Sequence, residues 1–407
     1  MRHGRKLKIT AVALLLAVQT SAQTSRPRVI VVGVNGMEWD IIRPLLLKGE
    51  MPNLAAVEQR GISGRMQTIS AASCPKVYSS IATSTPPEEH GITGFVVGGK
   101  TASTHMLKQE PLWSILSKHD VSVGLANVPA TFPVLPVKGY MVSGMLTRGR
   151  DCEDGVLCSP KLSGVDVHDA VFPTELAPEL MQNVGDFWFD CSRMPGAADL
   201  RGKEAAAIDA WLEQVARVRA QQSRLFDYLL SHRPTDFTML VQSCEDRTGH
   251  WLYPVQPFNV GYDPGLHRVR LEAFPDQYRA FDKMLGQILK HVDQDTYLFI
   301  ISDHGIKPLR ELGPNRREFR QAHDRGDSPP IVAKHDFDDG DEVPGVFFAM
   351  GPNIRRSVRL AGLRISVFDI APTVLHLYGI PPAAAMKGRV LTEIFAARVA
   401  SASANSR

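Results

Sequence analysis

Two sets of aspartate and histidine carry the chemistry that this sequence could perform. Asp303 is followed directly by His304, and Asp246 stands four residues before His250. Carboxylates and imidazoles are ligands that zinc and related divalent metals take in proteins, and residues four apart lie on one face of a helical turn. The two sets have the composition of a hydrolytic site with one or two metal ions. Zinc is the ion that this donor set favours.

A cysteine near a predicted helix start could supply a nucleophile. Ser73-Cys74-Pro75 opens a predicted helix, with proline near its first turn, where it is tolerated. Unpaired backbone N–H groups at such a terminus attract a phosphate or sulfate. The helix terminus or a metal lowers the pKa of a thiol and favours the reactive thiolate. Cys74, with Ser73 beside it, is therefore the candidate nucleophile, and a buried core thiol is the alternative interpretation.

Each of the other polar groups follows a run of residues typical of a buried strand. The runs and the groups that follow them are Arg28–Val34 before Asn35, Phe237–Gln242 before Asp246, and Thr296–Ile301 before Asp303. Unbroken runs of this kind indicate strands buried on both faces of a parallel sheet. In open α/β sheets the ligand crevice lies outside the carboxyl ends of the strands. We therefore expect the polar groups to converge on one crevice.

Predicted strands and helices alternate along most of the chain. This order predicts an α/β fold with a central, mostly parallel sheet and one large core over residues 23–400. Residues 147–200 are rich in Gly, Pro and Asp, which predicts an irregular inserted cap with little regular structure. Residues 251–275 are predicted to form a loop, and residues 401–407 form a polar tail.

The composition is that of an ordinary globular protein. The chain has 407 residues, of which 44% are hydrophobic and 22% charged. Its net charge of +3 is too small to indicate a nucleic-acid polymer or a membrane surface as partner.

The first 22 residues have the organisation of a secretory signal peptide. Met1–Lys8 is basic, Ile9–Val18 is apolar, and Thr20-Ser21-Ala22 is a small-residue cleavage site. We therefore expect the mature protein to be secreted or periplasmic. No later stretch is apolar over the length that a membrane span needs.

The five cysteines of the chain are an odd number, so at least one is unpaired. Cys152 and Cys158 flank a short acidic loop and are the first candidate pair. Cys191 with Cys244 is the second, and this arrangement leaves Cys74 free.

The sequence resembles the alkaline phosphatase superfamily, in particular its type I phosphodiesterase/nucleotide pyrophosphatase group. The resemblance extends from residue 28 to about 395 and rests on these segments: Val32–Gly36, Met51–Leu54, Ser79–Thr83, Pro86–Gly91, Glu245–His250, Ser302–Gly305, Gly345–Pro352 and Asp369–Thr373. It implies a three-layer sandwich with an inserted cap. It also implies metal-dependent hydrolysis of small phosphate esters, above all phosphodiesters or nucleotide pyrophosphates.

The resemblance also implies two metal positions. The first takes Asp246, His250 and a late histidine, most naturally His335, with Asp341 as the alternative ligand. The second takes an early aspartate, a Ser/Thr nucleophile, Asp303 and His304. This chain departs from that pattern twice, because Asn35 stands at the aspartate position and Cys74 at the nucleophile position.

The change to Asn35 has a consequence for the metal. Its amide oxygen offers a ligand without charge, which favours a single ion, or Ca²⁺ or Mg²⁺ at that position. If Asp341 is the late ligand, it restores the lost charge. Two further residues are candidates for substrate binding, Lys76 for an anion and Asn127 as a residue lining the cleft.

Two other interpretations stay open at this point. A binding protein on the same fold that has lost its chemistry would also carry the altered positions. A sulfate or phosphonate ester hydrolase is the other. Sulfatases resemble a Cys-x-Pro-x-Arg pattern in which the cysteine becomes formylglycine, and Cys74-Pro75-Lys76-Val77-Tyr78 does not match it.

Overall fold

The computed structural model describes residues 26–153, 159–191, 204–254, 264–308, 333–334, 343–360 and 364–396. The helices in these ranges are α1 (Trp39–Leu47), α2 (Pro52–Arg60), α3 (Cys74–Thr83), α4 (Pro87–His90), α5 (Leu112–Lys118), α6 (Val167–Ala170), α7 (Leu176–Asn183), α8 (Glu204–His232), α9 (Cys244–Leu252), α10 (Pro264–Ile288) and α11 (Ile370–Leu377).

The strands in the same ranges are β1 (Arg28–Val34), β2 (Ile62–Gln67), β3 (Val96–Val97), β4 (Lys100–Thr101), β5 (Val123–Asn127), β6 (Gly139–Gly144), β7 (Val171–Phe172), β8 (Phe237–Gln242), β9 (Thr296–Ile301), β10 (Lys307–Pro308), β11 (Ala333–Lys334), β12 (Gly345–Met350), β13 (Val358–Arg359) and β14 (Ile365–Ser366).

One central sheet holds ten of the strands in the described ranges, in the order β13-β2-β12-β9-β1-β8-β5-β6-β7, with β14 also paired to β2. Strand β1 lies in the middle and is parallel to both neighbours, β8 and β9. Strand β12 is antiparallel to β9 and β2, and β7 is antiparallel to β6. The predicted mostly parallel α/β sheet is confirmed.

The sheet is covered on both faces, which explains why its strands are apolar throughout. Alternate residues of β1 point to opposite faces. Ile30 and Val32 pack in one core with residues of α1, α2, α7, α8, α9 and α10. Val29 and Val31 pack in a second core with residues of α3, α5 and α11. The result is the expected three-layer arrangement of helices, sheet and helices.

The inserted segment is more regular than its composition predicts. Residues 159–191 contain α6, β7 and α7, and β7 extends the central sheet by pairing with β6. The prediction of little regular structure is wrong here because the apolar residues in this segment reach the core. Leu176 and Leu180, one helical turn apart, are buried. Phe187 is fully buried as well.

Two helices differ from the sequence prediction. Helix α10 begins at Pro264, inside the predicted loop 251–275. Proline is tolerated as the first residue of a helix, so Pro264 does not prevent the helix from starting there. A second proline, Pro275, lies inside the helix. Helix α1 was not predicted, and it is capped by Glu38, whose carboxylate accepts a hydrogen bond of 3.1 Å from the backbone N–H of Asp40.

A disulfide joins Cys191, at the end of the inserted segment, to Cys244, the first residue of α9. Cys74 is a free, buried thiol. Cys152 is disulfide-bonded, and its predicted partner Cys158 lies outside the described residues. The predicted signal peptide and polar tail also lie outside them. Among the described residues, the helices are too short or too polar to cross a membrane.

Candidate active site

The three predicted strand ends meet at one edge of the sheet, because β1, β8 and β9 are adjacent and parallel. The loop after β1 is tied to both neighbours. The backbone N–H of Asn35 donates to the carbonyl oxygen of Gln242 at 2.9 Å. The backbone N–H of Gly36 donates to Oδ1 of Asp303 at 3.3 Å. The crevice expected from the sequence therefore begins at these strand ends.

Gly36 allows this loop to approach helix α9. Its φ of 72° lies in the left-handed region that favours glycine. A Cβ atom at this position would meet the Cα of Asp246 at 2.8 Å. A larger residue would push the β1 loop away from α9, so the glycine keeps this loop close to Asp246.

The two Asp/His sets and the cysteine come together in this crevice. Nε2 of His304 lies 3.3 Å from Oδ2 of Asp303, 3.9 Å from Oδ1 of Asp246 and 3.9 Å from Sγ of Cys74. Nε2 of His250 lies 3.4 Å from the same Oδ1 of Asp246. Ligand atoms of Cys74, Asp303 and His304 all lie within 4.8 Å of one another. The structure thus collects five of the residues singled out from the sequence.

The donor set fits a divalent cation. Thiolate, carboxylate and imidazole are the ligands of zinc. Both amide atoms of Asn35 are buried and have no hydrogen-bond partner among the described residues. A buried polar atom without a partner carries its full desolvation cost. A cation bound at the Asn35 oxygen would satisfy that atom.

The charges in the crevice are consistent with this interpretation. Burial raises the pKa of the Cys74 thiol, and the carboxylates of Asp303 and Asp246 raise it further. Burial also raises the pKa of Asp303, an effect that His304 opposes. The lowered thiol pKa expected from the sequence is therefore not a property of these side chains alone, and a bound cation would have to supply it.

The remaining candidates lie around this cluster in different ways. Ser73 is the N-cap residue of α3, and its buried hydroxyl has no hydrogen-bond partner among the described residues. Asn127 ends β5 in a left-handed conformation, and both of its amide atoms are buried without such a partner. Lys76 is turned to the preceding loop, where its ammonium donates to the carbonyl oxygens of Ser70 and Ala71 at 2.8 and 3.0 Å. His335 and Asp341 lie outside the described residues, so the late ligand stays a prediction.

Three residues of the site were not singled out from the sequence. Arg247 lies between the two candidate ligands of α9, and that position could have indicated it. Tyr78 lies one turn after Cys74, with its buried hydroxyl against Gly33 and without a hydrogen-bond partner among the described residues. Asp190 accepts a hydrogen bond of 3.0 Å from Arg247, yet it is 57 residues away in the chain, and no local pattern points to it.

A comparison with known families identifies the group to which these motifs belong. The model of the type I phosphodiesterase / nucleotide pyrophosphatase family matches residues 29–341. The chain belongs to this family. The resemblance to the alkaline phosphatase superfamily is thereby confirmed, and the family supports a hydrolase of phosphoric esters.

One curated relative is named as a sulfatase homolog. The chain is 28% identical over 209 residues to the "Putative extracellular sulfatase Sulf-1 homolog" of Caenorhabditis elegans. That match covers 46% of this chain and 27% of the relative, so the chain spans only about a quarter of the relative's length.

Two solved structures share the fold. Murine ectonucleotide pyrophosphatase / phosphodiesterase 5, in an inactive form in complex with AMP, has a TM-score of 0.52 at 13% identity, over 91% of this chain and 100% of that one. The 2-O GAG sulfatase BT1596 has a TM-score of 0.53 at 12% identity, over 90% of this chain and 73% of that one. The same architecture is therefore found in a phosphodiesterase and in a sulfatase.

Proposed function

We propose that this protein is a secreted or periplasmic, metal-dependent hydrolase of phosphate esters, with phosphodiesters or nucleotide pyrophosphates as substrates. One observation carries the proposal. Cys74 Sγ, in the first turn of α3, lies 3.9 Å from Nε2 of His304, and that nitrogen lies within 3.9 Å of carboxylate oxygens of both Asp303 and Asp246. A nucleophile and ligands of both expected metal positions thus share one buried crevice.

The family resemblance assigns the residues that would hold the cations, and the arrangement supports that assignment for the residues that the structure describes. Asp246 and His250 would hold one ion, with His335 or Asp341 as the late ligand, and Asn35, Asp303 and His304 would hold the other. A bound divalent cation supplies Lewis-acid polarisation of the ester oxygens. Zinc suits the imidazole and thiolate donors, whereas Ca²⁺ or Mg²⁺ suits a position whose ligand is the neutral oxygen of Asn35.

Cys74 would act as the nucleophile in two steps. Its sulfur attacks phosphorus in line, so that an S–P bond forms while the bond from phosphorus to the leaving oxygen breaks, and the leaving oxygen takes up the proton that the thiol has released. Water then attacks phosphorus, the S–P bond breaks, and the thiol is restored. The unpaired N–H groups at the start of α3 would bind the ester anion. Ser73 is the alternative nucleophile, because its hydroxyl is adjacent and has no hydrogen-bond partner within the described ranges.

The form of the substrate is supported by the relatives and by Asn127. Among the structures that share the fold, the murine phosphodiesterase holds AMP, which supports a nucleotide or another small phosphate ester as ligand. The buried Asn127 amide offers one donor group and one acceptor to such a ligand. Lys76 would contribute an anion contact only if it left the Ser70 and Ala71 carbonyl oxygens.

The test combines metal content with an ester panel. Purified full-length protein is expected to contain zinc or another divalent metal and to hydrolyse a nitrophenyl phosphodiester. Cys74→Ala and Asp303→Ala should each reduce kcat/KM by about 10³-fold or more. Thr235→Ala, at a residue just before β8 and so at the opposite end of that strand from the crevice, serves as the control. Absence of metal after reconstitution, or undiminished hydrolysis by both variants, would refute the proposal.

A sulfate ester hydrolase is the second candidate. The similarity to an extracellular sulfatase homolog and the cysteine at the nucleophile position favour it. Mass spectrometry of the Cys74 peptide distinguishes the two, because formylglycine changes its mass. An unmodified cysteine together with no turnover of nitrophenyl sulfate excludes the sulfatase. A protein that binds phosphate esters but hydrolyses none of the panel would instead be a binding protein on this fold.

A further inference from the structure

Arg247 keeps a positive charge inside the crevice. Its Nη1 lies 3.9 Å from Oδ2 of Asp246, and its Nη2 lies 3.5 Å from Sδ of Met145, the residue after β6. Strands β8, β5 and β6 are parallel neighbours, so the guanidinium lies at the same edge of the sheet as the cluster around Cys74. The side chain is 13% exposed, so it is not fully closed off from solvent.

The guanidinium is not fully occupied by its protein partners. Its Nε is buried and has no hydrogen-bond partner among the described residues. Arginine presents five N–H donors in a planar fork that matches two oxygens of a phosphate or sulfate. The charge also reaches the nucleophile, because Arg247 lowers the pKa of the Cys74 thiol against the larger effect of burial. A donor and a charge are thus available beside the reacting sulfur.

Asp190 holds this guanidinium in place. Its Oδ2 accepts from Nη2 of Arg247 at 3.0 Å, while its Oδ1 accepts from the hydroxyl of Ser243 at 2.7 Å and from the backbone N–H of Cys191 at 2.8 Å. Asp190 is 4% exposed, and the neighbouring Cys191 is bonded to Cys244 at the start of α9. The inserted segment therefore reaches the crevice through one carboxylate that fixes the direction of one arginine.

We propose that Arg247 binds an anionic, nonbridging oxygen of the ester, and that Asp190 is the positioning residue that aims it. This inference rests on the proposed function, since it assigns the ester's anion to a partner within that site. It makes the inserted segment part of substrate recognition. It also restricts the substrate to esters that keep a negative oxygen, which phosphodiesters and sulfate monoesters do and neutral triesters do not.

Inorganic phosphate is the probe, because its binding is measurable without turnover. Isothermal titration calorimetry measures the phosphate affinity of the full-length, metal-containing protein. The affinity is compared among wild type, Arg247→Met, Arg247→Lys and Asp190→Asn. Losing a charge-assisted hydrogen bond should weaken phosphate binding by about 10- to 100-fold in Arg247→Met. Arg247→Lys should recover part of that loss, since it keeps the charge without the fork. Asp190→Asn should weaken binding less than Arg247→Met.

Kinetics and a control separate this role from a purely structural ion pair. Arg233→Met removes an arginine from an exposed pair with Glu179 and should leave phosphate affinity unchanged. Nitrophenyl phosphodiester hydrolysis by Arg247→Met should lose kcat/KM, with partial recovery in Arg247→Lys. If Arg247→Met does not fold, the phosphate affinities of Arg247→Lys and Asp190→Asn test the inference.

Unchanged phosphate affinity in the variants that fold overturns the inference, even if their thermal stability falls. A wild-type protein that binds no phosphate overturns it as well. If the wild type binds phosphate through Arg247 but hydrolyses no ester, the proposed function fails and the anion site stands. If it hydrolyses esters and Arg247→Met is as active as wild type, only the anion site fails.

Discussion

Arg219 on α8 and Glu245 on α9 form an ion pair that is almost fully removed from water. Nη2 of Arg219 lies 2.9 Å from Oε1 of Glu245, and the two side chains are 6% and 0% exposed. Burial raises the pKa of Glu245, and the charge of Arg219 counteracts that rise. Glu245 immediately precedes Asp246, so this pair fixes the turn of α9 from which the candidate ligand projects.

Breaking this pair should be costly. Arg219→Met leaves the Glu245 carboxylate buried without its counter-charge, and we expect the free energy of unfolding to fall by about 3–5 kcal/mol. The combined variant Arg219→Met/Glu245→Leu removes both charges and should recover most of that loss. Urea denaturation measures all three proteins. Equal destabilisation of the single and the combined variant would contradict the view that the unpaired carboxylate is the cause.

Asn35→Asp should strengthen metal binding and lower the thermal stability of the metal-free protein. The substitution restores a charged ligand beside Asp303, so zinc affinity should rise by about 10-fold or more. Without metal, the added buried carboxylate has no cation to offset it and should lower the melting temperature. Zinc titration and thermal melts with zinc or EDTA test both effects. Asn35→Ala is the matched control, which lacks any ligand oxygen and should bind zinc more weakly than wild type.

His90 should make the fold sensitive to mild acid. Its Nδ1 accepts from the backbone N–H of Ile92 at 3.1 Å, and its Nε2 therefore donates to the hydroxyl of Ser80 at 2.9 Å. Burial lowers the pKa of His90 to about 4. As the pH falls, the histidine is protonated in the unfolded chain before it is protonated in the folded one. The contribution of neutral His90 to the free energy of unfolding is therefore fully present above about pH 6.5 and is lost as the pH falls to about 4, by at most about 3 kcal/mol.

Urea denaturation at pH 7 and pH 5 tests this expectation. In His90→Gln, which does not titrate, the loss of stability between the two pH values should shrink. The exposed His119→Gln is the control and should show the full wild-type loss. An equal pH dependence in wild type and His90→Gln would show that another group is responsible.

The Cys191–Cys244 disulfide should stabilise the connection between the inserted segment and α9. It closes a loop with a sequence separation of 53 residues. Cys191→Ala/Cys244→Ala should lower the free energy of unfolding by about 2–4 kcal/mol. Thermal melts without reductant measure the effect, and Cys74→Ala, which removes a cysteine outside any disulfide, is the comparison. A double variant as stable as wild type would show that the bond does not constrain the unfolded chain.

Local patterns in the sequence were enough to predict the layer architecture and the main residues of the site. Runs such as Thr296–Ile301 are apolar on both sides of the strand, which only a sheet covered on both faces accommodates. Because parallel strands end at a common edge, the positions after them predicted that Asp303 and Asp246 would meet. The i, i+4 spacing likewise placed Asp246 and His250 on one helix face, and both lie in α9.

The surroundings of these residues depend on packing between distant parts of the chain, which no local pattern predicts. The contact of Asp190 with Arg247 joins positions 57 residues apart, and such pairs depend on how the inserted segment packs rather than on local pattern. Lys76 likewise looks available for an anion in the sequence, but the loop before α3 places two carbonyl oxygens within reach of its ammonium. The pKa of Cys74 is a third case, since burial, which no local pattern reports, raises it, whereas the position at a helix start predicted a lowered value. Spacing determines which groups can meet, whereas burial and long-range packing determine their charge and direction.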